Sequence, residues 1–390
     1  MIALCSRCSV ITPFAFILIA WLCVTCPSAL RAQSTSTKPA IIAYVFPQNG
    51  VVKTGEIAAK QLTRINYAFA NVKDGKIIEG FSSTAENLAA LNMLKQQNPT
   101  LTVLVSVGGW TWSGNFSDAA LTPSSRALFI ESAVVFVEKY NIDGVDIDWE
   151  YPGSAGAGNS FRADDKVNYT LLLKEMRARF DREQTRLHRP LFLTIATGAS
   201  KQFLSHTEMQ KVQQYVDTVN LMAYDYYTPG SKPNTGNHAP LFVDPADPQA
   251  VSAAGSVQAF EEAGVPAAKI VLGVPFYGHT WAEVPDVNHG LFQPGKAAPK
   301  SYAQYADIVT AISRGGFTRY WDVTSSAPYL YSPTTSTFIS YEDSESLTRK
   351  TDYVLEHRLG GVMFWDYEGD PSGTLLKTIH DGLTLTPTQK

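Results

Sequence analysis

Beyond position 26 the chain has no cysteine: all four, Cys5, Cys8, Cys23 and Cys26, lie in its first 26 residues. The remainder therefore has neither disulfides nor thiol chemistry to draw on. The four form a CxxC…CxxC pattern, a spacing that elsewhere suggests zinc, but the run between them is apolar and a poor metal cage. Excess positive charge is also missing. Lysine and arginine total 32 against 36 acidic residues, a net charge of −4 without a long basic run, which argues against a nucleic-acid or anionic-membrane partner. No heptad or triplet repeat and no Pro/Ser-rich linker breaks the chain, so coiled-coil, collagen-like and disordered readings fail. No Gly-rich phosphate fingerprint follows the first strand candidate, and there is no GxSxG elbow. His188, His206, His238, His289, His357 and His380 show no metal-ligand spacing and read as surface or packing residues. No metal or cofactor is expected.

What is present is ample apolar material. Hydrophobic residues make up 45% and aromatics 11% of 390 residues, enough for two domains or for one barrel of about 250 residues with insertions. Residues 1–32 have the form of a signal peptide: Arg7 in a short leading region, an apolar stretch from Val10 to Val24, and a small-residue site ending at Ala32. A lipidated Cys26 is disfavoured by Val24 and Thr25 before it. Without residues 1–32 the product carries 30 basic and 36 acidic residues and is expected to be secreted, to the medium or a periplasm. Residues 33–39 read as a flexible leader.

After the leader, apolar β-rich runs alternate with helical periods. Strands are expected at 41–46, 64–71, 101–107, 143–150, 191–197, 217–224, 269–275 and 360–366. Helices are expected at 83–97, 123–140, 163–183, 248–263, 344–358 and 373–383. Ser83 followed by Glu86 reads as a capping box, and Pro123 as a helix start. Eight strands alternating with helices specify an α/β fold, a (β/α)8 TIM barrel over 40–281 and 341–390. The connection after strand seven is far too long for one loop and one helix. Its short aromatic and β-branched runs over 282–340 read as a small α+β insertion.

The most informative stretch is Asp143-Gly-Val-Asp146-Ile-Asp148-Trp-Glu150. Strand side chains alternate faces, so Asp146, Asp148 and Glu150 share one face, about 6.6 Å apart, and Val145, Ile147 and Trp149 take the other. Three acids then project into the barrel, and Asp143, out of phase, sits at its bottom. Like charges buried together split their pKa values and keep at least one acid protonated near neutrality. Glu150 is at the C-terminal mouth, where a barrel enzyme places its chemistry. A protonated Glu there is a general acid, with Asp148 placed to hold or relay its proton. A structural acid cluster or a magnesium or calcium site is the alternative, and no fitting His or Asn ligands accompany the acids.

DGVDIDWEYPG resembles the DxxDxDxE signature of the family 18 glycoside hydrolases, the chitinases. The resemblance extends to Ser106-Val-Gly-Gly109-Trp110 (SxGG), Met222-Ala-Tyr224-Asp225 (MxYD), Gly273-Val-Pro-Phe-Tyr-Gly278 and Gly360-Gly-Val-Met-Phe-Trp365. It implies a retaining, substrate-assisted hydrolysis of β-1,4-N-acetylglucosamine linkages in chitin or chitooligosaccharides. In that reading Glu150 is the acid/base, Asp148 holds the acetamido N–H, and Asp146 shares a proton with Asp148. Tyr224 aligns the acetamido carbonyl and Asp225 binds the distorted sugar. Tyr44 and Ser106 support the buried acids. Gly109, Trp110, Tyr151, Met222, Tyr226, Trp281 and Trp365 are expected around the substrate, Trp365 as its floor. Two departures from the family pattern stand out. His279 occupies a position where many relatives carry arginine, and Val45 follows Tyr44 where an aromatic is common. The competing readings are a chitin-binding lectin without catalysis and a hydrolase of another N-acetylglucosamine glycan, such as an N-glycan core or peptidoglycan. A monomer is expected.

Overall fold

The computed structural model describes residues 38–385. The expected signal peptide at residues 1–32, the four cysteines and most of the expected leader lie outside the described residues. Eight parallel strands form the centre: β1 (Ala40–Val45), β2 (Arg64–Lys73), β3 (Thr102–Gly108), β4 (Gly144–Asp148), β5 (Phe192–Gly198), β6 (Val219–Met222), β7 (Ile270–Pro275) and β8 (Gly361–Trp365). Each pairs with its sequence neighbour, and β8 returns to pair with β1. The (β/α)8 barrel is thus closed. A short strand, Lys76–Glu79, folds back antiparallel on the end of β2.

The strands read as near-continuous apolar runs because both faces are buried. On β4 and just past its end, Val145, Ile147 and Trp149 point outward into the layer between sheet and helices. Trp149 stacks on Phe116 at 5.3 Å and meets Tyr169 edge-on at 5.7 Å. Inside the barrel, β1, β6, β7 and β8 supply an apolar half, Ile42, Tyr44, Val271 and Met363 with Met222, Tyr224 and Trp365 against them. The other half is polar, around Asp146.

The bottom of the barrel is held by charge. Asp143 there accepts from the Val103 N–H at 2.8 Å and pairs with Lys95 and Arg189. Arg64, buried at the start of β2, donates to Thr218 at 3.0 Å and lies over the Phe192 ring.

The helices follow their sequence periods, at Thr84–Met93, Pro123–Tyr140, Asp165–Leu187, Ala253–Glu262, Ser344–Glu356 and Thr374–Thr384. Pro123 starts its helix as expected, within a capping box formed by Thr122 and Ser125. The capping box at Ser83 is not formed. Ser83 donates to the Gln48 carbonyl and accepts from Asn87 instead, because a nearby loop offers it a tertiary partner. Three short helices, Phe116–Leu121, Lys201–Ser205 and Met209–Val212, are too brief for periodicity to reveal.

Between β7 and β8 lies an antiparallel five-stranded sheet. Its spatial order is Lys296–Gln304, Tyr277–Ala282, Thr337–Ser340, Ala327–Ser332 and Thr318–Asp322. It starts at Tyr277, directly after Phe276, upstream of position 282, and carries the helix Tyr305–Ser313. Two small cores fill it, one around Trp281, Tyr329, Tyr331 and Phe338, the other around Ile308, Leu330, Ile339 and Tyr341.

Candidate active site

The polar groups converge at the C-terminal ends of the barrel strands. Asp146 is fully buried and accepts four hydrogen bonds. The donors are Tyr44 Oη (2.9 Å), Ser106 Oγ (2.8 Å), Thr194 Oγ1 (2.5 Å) and Asn220 Nδ2 (3.0 Å), from β1, β3, β5 and β6. Burial pushes its pKa up, while Thr194, Ser106, Tyr44 and the charge of Arg64 pull it back. Asp148, next on the same face, has no such help: its Oδ1 is buried without a hydrogen-bond partner. Burial, then Glu150 and Asp146, push its pKa well above the carboxylate range. A charge on Asp146 is met by donors and one on Asp148 is not, so the proton of this pair belongs on Asp148.

Glu150 lies just past the end of β4, 8% exposed. Its backbone N–H is held by Ser113 Oγ at 2.9 Å. Burial raises its carboxyl to about 7; the Tyr151 hydroxyl opposes the rise and the Asp225 charge adds to it. One carboxyl is therefore poised to give and take a proton near neutrality.

The glycine after β3 serves close packing. Gly109 has φ of 78°, and a Cβ there would meet the Phe69 ring at 2.7 Å. Its N–H donates to the Asp148 carbonyl at 2.8 Å. Phe69 in turn stacks on Trp365 at 5.4 Å, with Phe46 at 5.4 Å and Tyr44 at 5.9 Å from the same indole. Trp365 thus sits on an aromatic bed at the barrel mouth. Phe46, one residue beyond Val45, is the aromatic of this corner. Position 45 itself points into the core behind.

The opposite wall comes from β6 and the insertion. Met222 and Tyr224 are half-buried, with Tyr224 edge-on to Tyr277 at 6.1 Å. Asp225 has φ of 60° and leaves 44% of its side chain exposed. Its Oδ1 accepts from Tyr277 Oη at 2.7 Å and lies 2.7 Å from His279 Nε2. His238 Nδ1 is 3.6 Å from the same oxygen, and its ring is edge-on to His279 at 5.1 Å. Burial works to raise the Asp225 carboxyl, and the two imidazoles outweigh it, holding it well below its usual range. His238 is driven down to about 4, chiefly by burial.

The structure thus brings Tyr44, Ser106, Gly109, Asp146, Asp148, Glu150, Tyr151, Met222, Tyr224, Asp225 and Trp365 to one end of the barrel. Trp110 is 53% exposed at the rim, 6.4 Å from Tyr151. Two expected aromatics are used otherwise. Trp281 is 0% exposed, enclosed by Phe338, Tyr227, Tyr329 and Tyr331. It shares a strand face with His279, but the insertion sheet closes over it, so it cannot stack on a ligand. Tyr226 is half-buried, and its hydroxyl is engaged by Ser256 Oγ (2.7 Å) and the Ser252 carbonyl (3.1 Å). Sequence reasoning missed Tyr277, His238 and Phe46. His238 is not isolated packing but faces Asp225 and His279, a meeting that a separation of 54 residues between Asp225 and His279 conceals.

Comparison with known proteins agrees with this geometry. The profile of the glycosyl hydrolases family 18 matches residues 40–370. Chitinase A1 of Niallia circulans is 44% identical over 306 residues, covering 75% of this chain and 44% of that protein. This chain therefore spans less than half of that relative's length. Chitinase 1 of Aphanocladium album is 32% identical over 354 residues, 84% of this chain and 81% of the relative. Among solved structures, a family 18 N-acetylglucosaminidase from Paenibacillus barengoltzii superposes with a TM-score of 0.81 at 42% identity, covering 88% of this chain and all of that one. With a closed barrel, a buried carboxylate strand and a family match along nearly all the described residues, the chain belongs to the glycosyl hydrolases family 18.

Proposed function

We propose that the cleft hydrolyses β-1,4-linked N-acetylglucosamine in chitin or its oligomers, with retention and with the substrate's own acetamido group as nucleophile. The observation that carries this reading is the uneven supply of hydrogen-bond donors to the acids along β4. Asp146 is saturated with donors, Asp148 is without them, and Glu150 is buried at the mouth with its carboxyl near 7. The names of the similar proteins, a chitinase and an N-acetylglucosaminidase, support the substrate class.

Glu150 gives its proton to the glycosidic oxygen as the bond to the anomeric carbon breaks. The acetamido carbonyl oxygen closes onto that carbon, and the resulting oxazolinium ion is opened by water, which returns a proton to Glu150. Asp148 faces the acetamido nitrogen; as its proton passes to Asp146, the freed carboxylate takes the N–H hydrogen bond and balances the positive charge as it develops. Tyr224 keeps its proton, because burial and nearby carboxylates raise its pKa far above neutrality, and so donates to the acetamido oxygen and aligns it. Trp365 supplies the floor and Asp225 a hydrogen bond from the opposite wall. Action outside the cell, through export by residues 1–32, belongs to the same proposal. Among the described residues no helix is long and apolar enough to cross a membrane.

Time-resolved proton NMR of chitotetraose tests this, with the mature protein and a Glu150→Gln variant. The expected result is release of the β-anomer first and near-complete loss of turnover in the variant, by about 10²-fold or more. Initial α-anomer overturns the retaining mechanism. An intact oligomer with shifted resonances overturns the hydrolase in favour of a binder.

A further inference from the structure

Asp225, His238 and His279 form a cluster with a chemistry of its own. One ligand atom from each lies within 4.8 Å of the others. Asp225 Oδ1 is 2.7 Å from His279 Nε2 and 3.6 Å from His238 Nδ1. His238 is fully buried, yet neither of its ring nitrogens has a hydrogen-bond partner. Orphaned buried polar atoms are costly, and an ion beside Asp225 would give His238 Nδ1, the nitrogen that faces it, a partner.

We propose that Asp225, His238 and His279 bind a divalent first-row transition cation, of which zinc is the representative, on the wall of the cleft. In a tetrahedral zinc site with bonds of about 2.0–2.1 Å the ligand atoms stand about 3.4 Å apart. The observed 2.7 and 3.6 Å lie on either side of that value, with all three ligand atoms within 4.8 Å, so side-chain rotations bring them around one ion. Two imidazoles and one carboxylate suit zinc, copper or nickel, and they do not suit magnesium or calcium, which prefer all-oxygen shells.

A way in exists through Asp225, whose side chain is 44% exposed. The fourth coordination position then faces the cleft, open to water or to a sugar hydroxyl. Bound metal ties up the Asp225 carboxylate and draws it from Tyr277 Oη, now 2.7 Å away. The site is therefore expected to lower activity when filled, a metal-responsive brake on the cleft wall. This inference rests on the three side chains alone and stands whether or not the cleft cleaves chitin.

The test is calorimetric titration of zinc chloride into the mature protein after removal of metals with a chelator, with no sugar present. Cobalt(II) absorption serves as the second readout. Wild type is expected to bind one equivalent of zinc that is weakened at least about tenfold in both His238→Asn and His279→Gln. Cobalt is expected to give the intense visible bands of a four-coordinate ion in wild type and to lose them in both variants. Far-ultraviolet circular dichroism checks that the variants fold, and His279, which is partly reached by solvent, keeps the test decisive if the buried His238 variant does not. Absence of binding to wild type overturns the proposal. Unchanged affinity in a folded variant does the same, since the metal then sits at another histidine.

Discussion

Tyr44 Oη on the first barrel strand donates to Asp146 Oδ2 on the fourth at 2.9 Å, and Asn220 Nδ2 bridges both, 3.0 Å from each. This cross-barrel bond helps decide which carboxyl carries charge: Asp146 can be ionised because its oxygens are met by donors, and Asp148 is left as the one to hold a proton. Tyr44→Phe removes one of the four donors and leaves its neighbours in place. Its expected cost is about 1–3 kcal/mol of stability, the penalty of an under-satisfied buried carboxylate. The same change raises the Asp146 pKa, so the acid limb of activity moves to higher pH. Urea unfolding and a pH–rate profile measure the two effects. A variant indistinguishable from wild type in both disproves the division of charge.

The Glu150 carboxyl titrates near 7 in the folded chain against an ordinary value of 4.5, with burial as the leading cause. Between those values the folded state binds more protons than the unfolded state, so this group's contribution to stability falls as pH rises across the window. Above pH 7 the buried charge costs on the order of 3 kcal/mol. Glu150→Gln removes the charge but keeps the shape. Its melting temperature is expected to exceed that of wild type at pH 8, with little difference at pH 4.5. Equal gains at both pH values would contradict burial as the cause. The variant is thus expected to be more stable above pH 7 and inactive, the signature of a residue kept for chemistry at a cost to the fold.

The carboxylates were legible in the sequence because strand alternation is a local rule: Asp146, Asp148 and Glu150 reveal their shared face within five residues. The barrel was legible for a similar reason, since each strand and most helices carry their own period. What was hidden depends on contacts between distant segments. His279 meets Asp225 only because the insertion sheet begins at Tyr277, directly after β7, and folds its first strand over the end of β6, and His238, on the connection after β6, is held against that sheet by its N–H to Ser340 Oγ at 2.9 Å. Trp281 looked like a cleft aromatic by its place after a strand, yet the strands Ala327–Ser332 and Thr337–Ser340 enclose it. Ser83 had the right spacing for a capping box and a better partner in Gln48. Local pattern yields to tertiary geometry wherever a side chain has two offers.

Lys350 and Glu342 form an ion pair within the fold, each about 1% exposed, with Lys350 Nζ also donating to the Ala239 carbonyl at 2.7 Å. Burial raises the Glu342 carboxyl, and Lys350 and Ser346 oppose the rise. Lys350→Met leaves that carboxyl and the Ala239 carbonyl without their partner, an expected loss of about 3–5 kcal/mol. Replacing both partners, Lys350→Met with Glu342→Gln, is expected to cost less than the single change, because no buried charge is then abandoned. A double-mutant cycle by chemical denaturation measures the difference. Additive losses would mean that the pair does not act as a unit.

Two tryptophans separate folding from binding. Trp281 is fully enclosed in the insertion, whereas Trp365 lies half-buried at the barrel mouth on Phe69 and Phe46. Trp281→Ala is expected to cost about 3–5 kcal/mol, the usual penalty for emptying a large buried site, and to lower kcat and KM little once the protein is kept folded at low temperature. Trp365→Ala empties less enclosed volume and leaves the aromatic bed beneath it, so its stability loss is smaller. Its effect falls on substrate, with KM for chitotetraose rising about tenfold, or about 1.4 kcal/mol. Thermal melts and initial-rate kinetics on both variants give four numbers, and the expected pattern is a crossover. If Trp281→Ala raises KM while Trp365→Ala mainly lowers the melting temperature, the floor of the cleft has been assigned to the wrong indole.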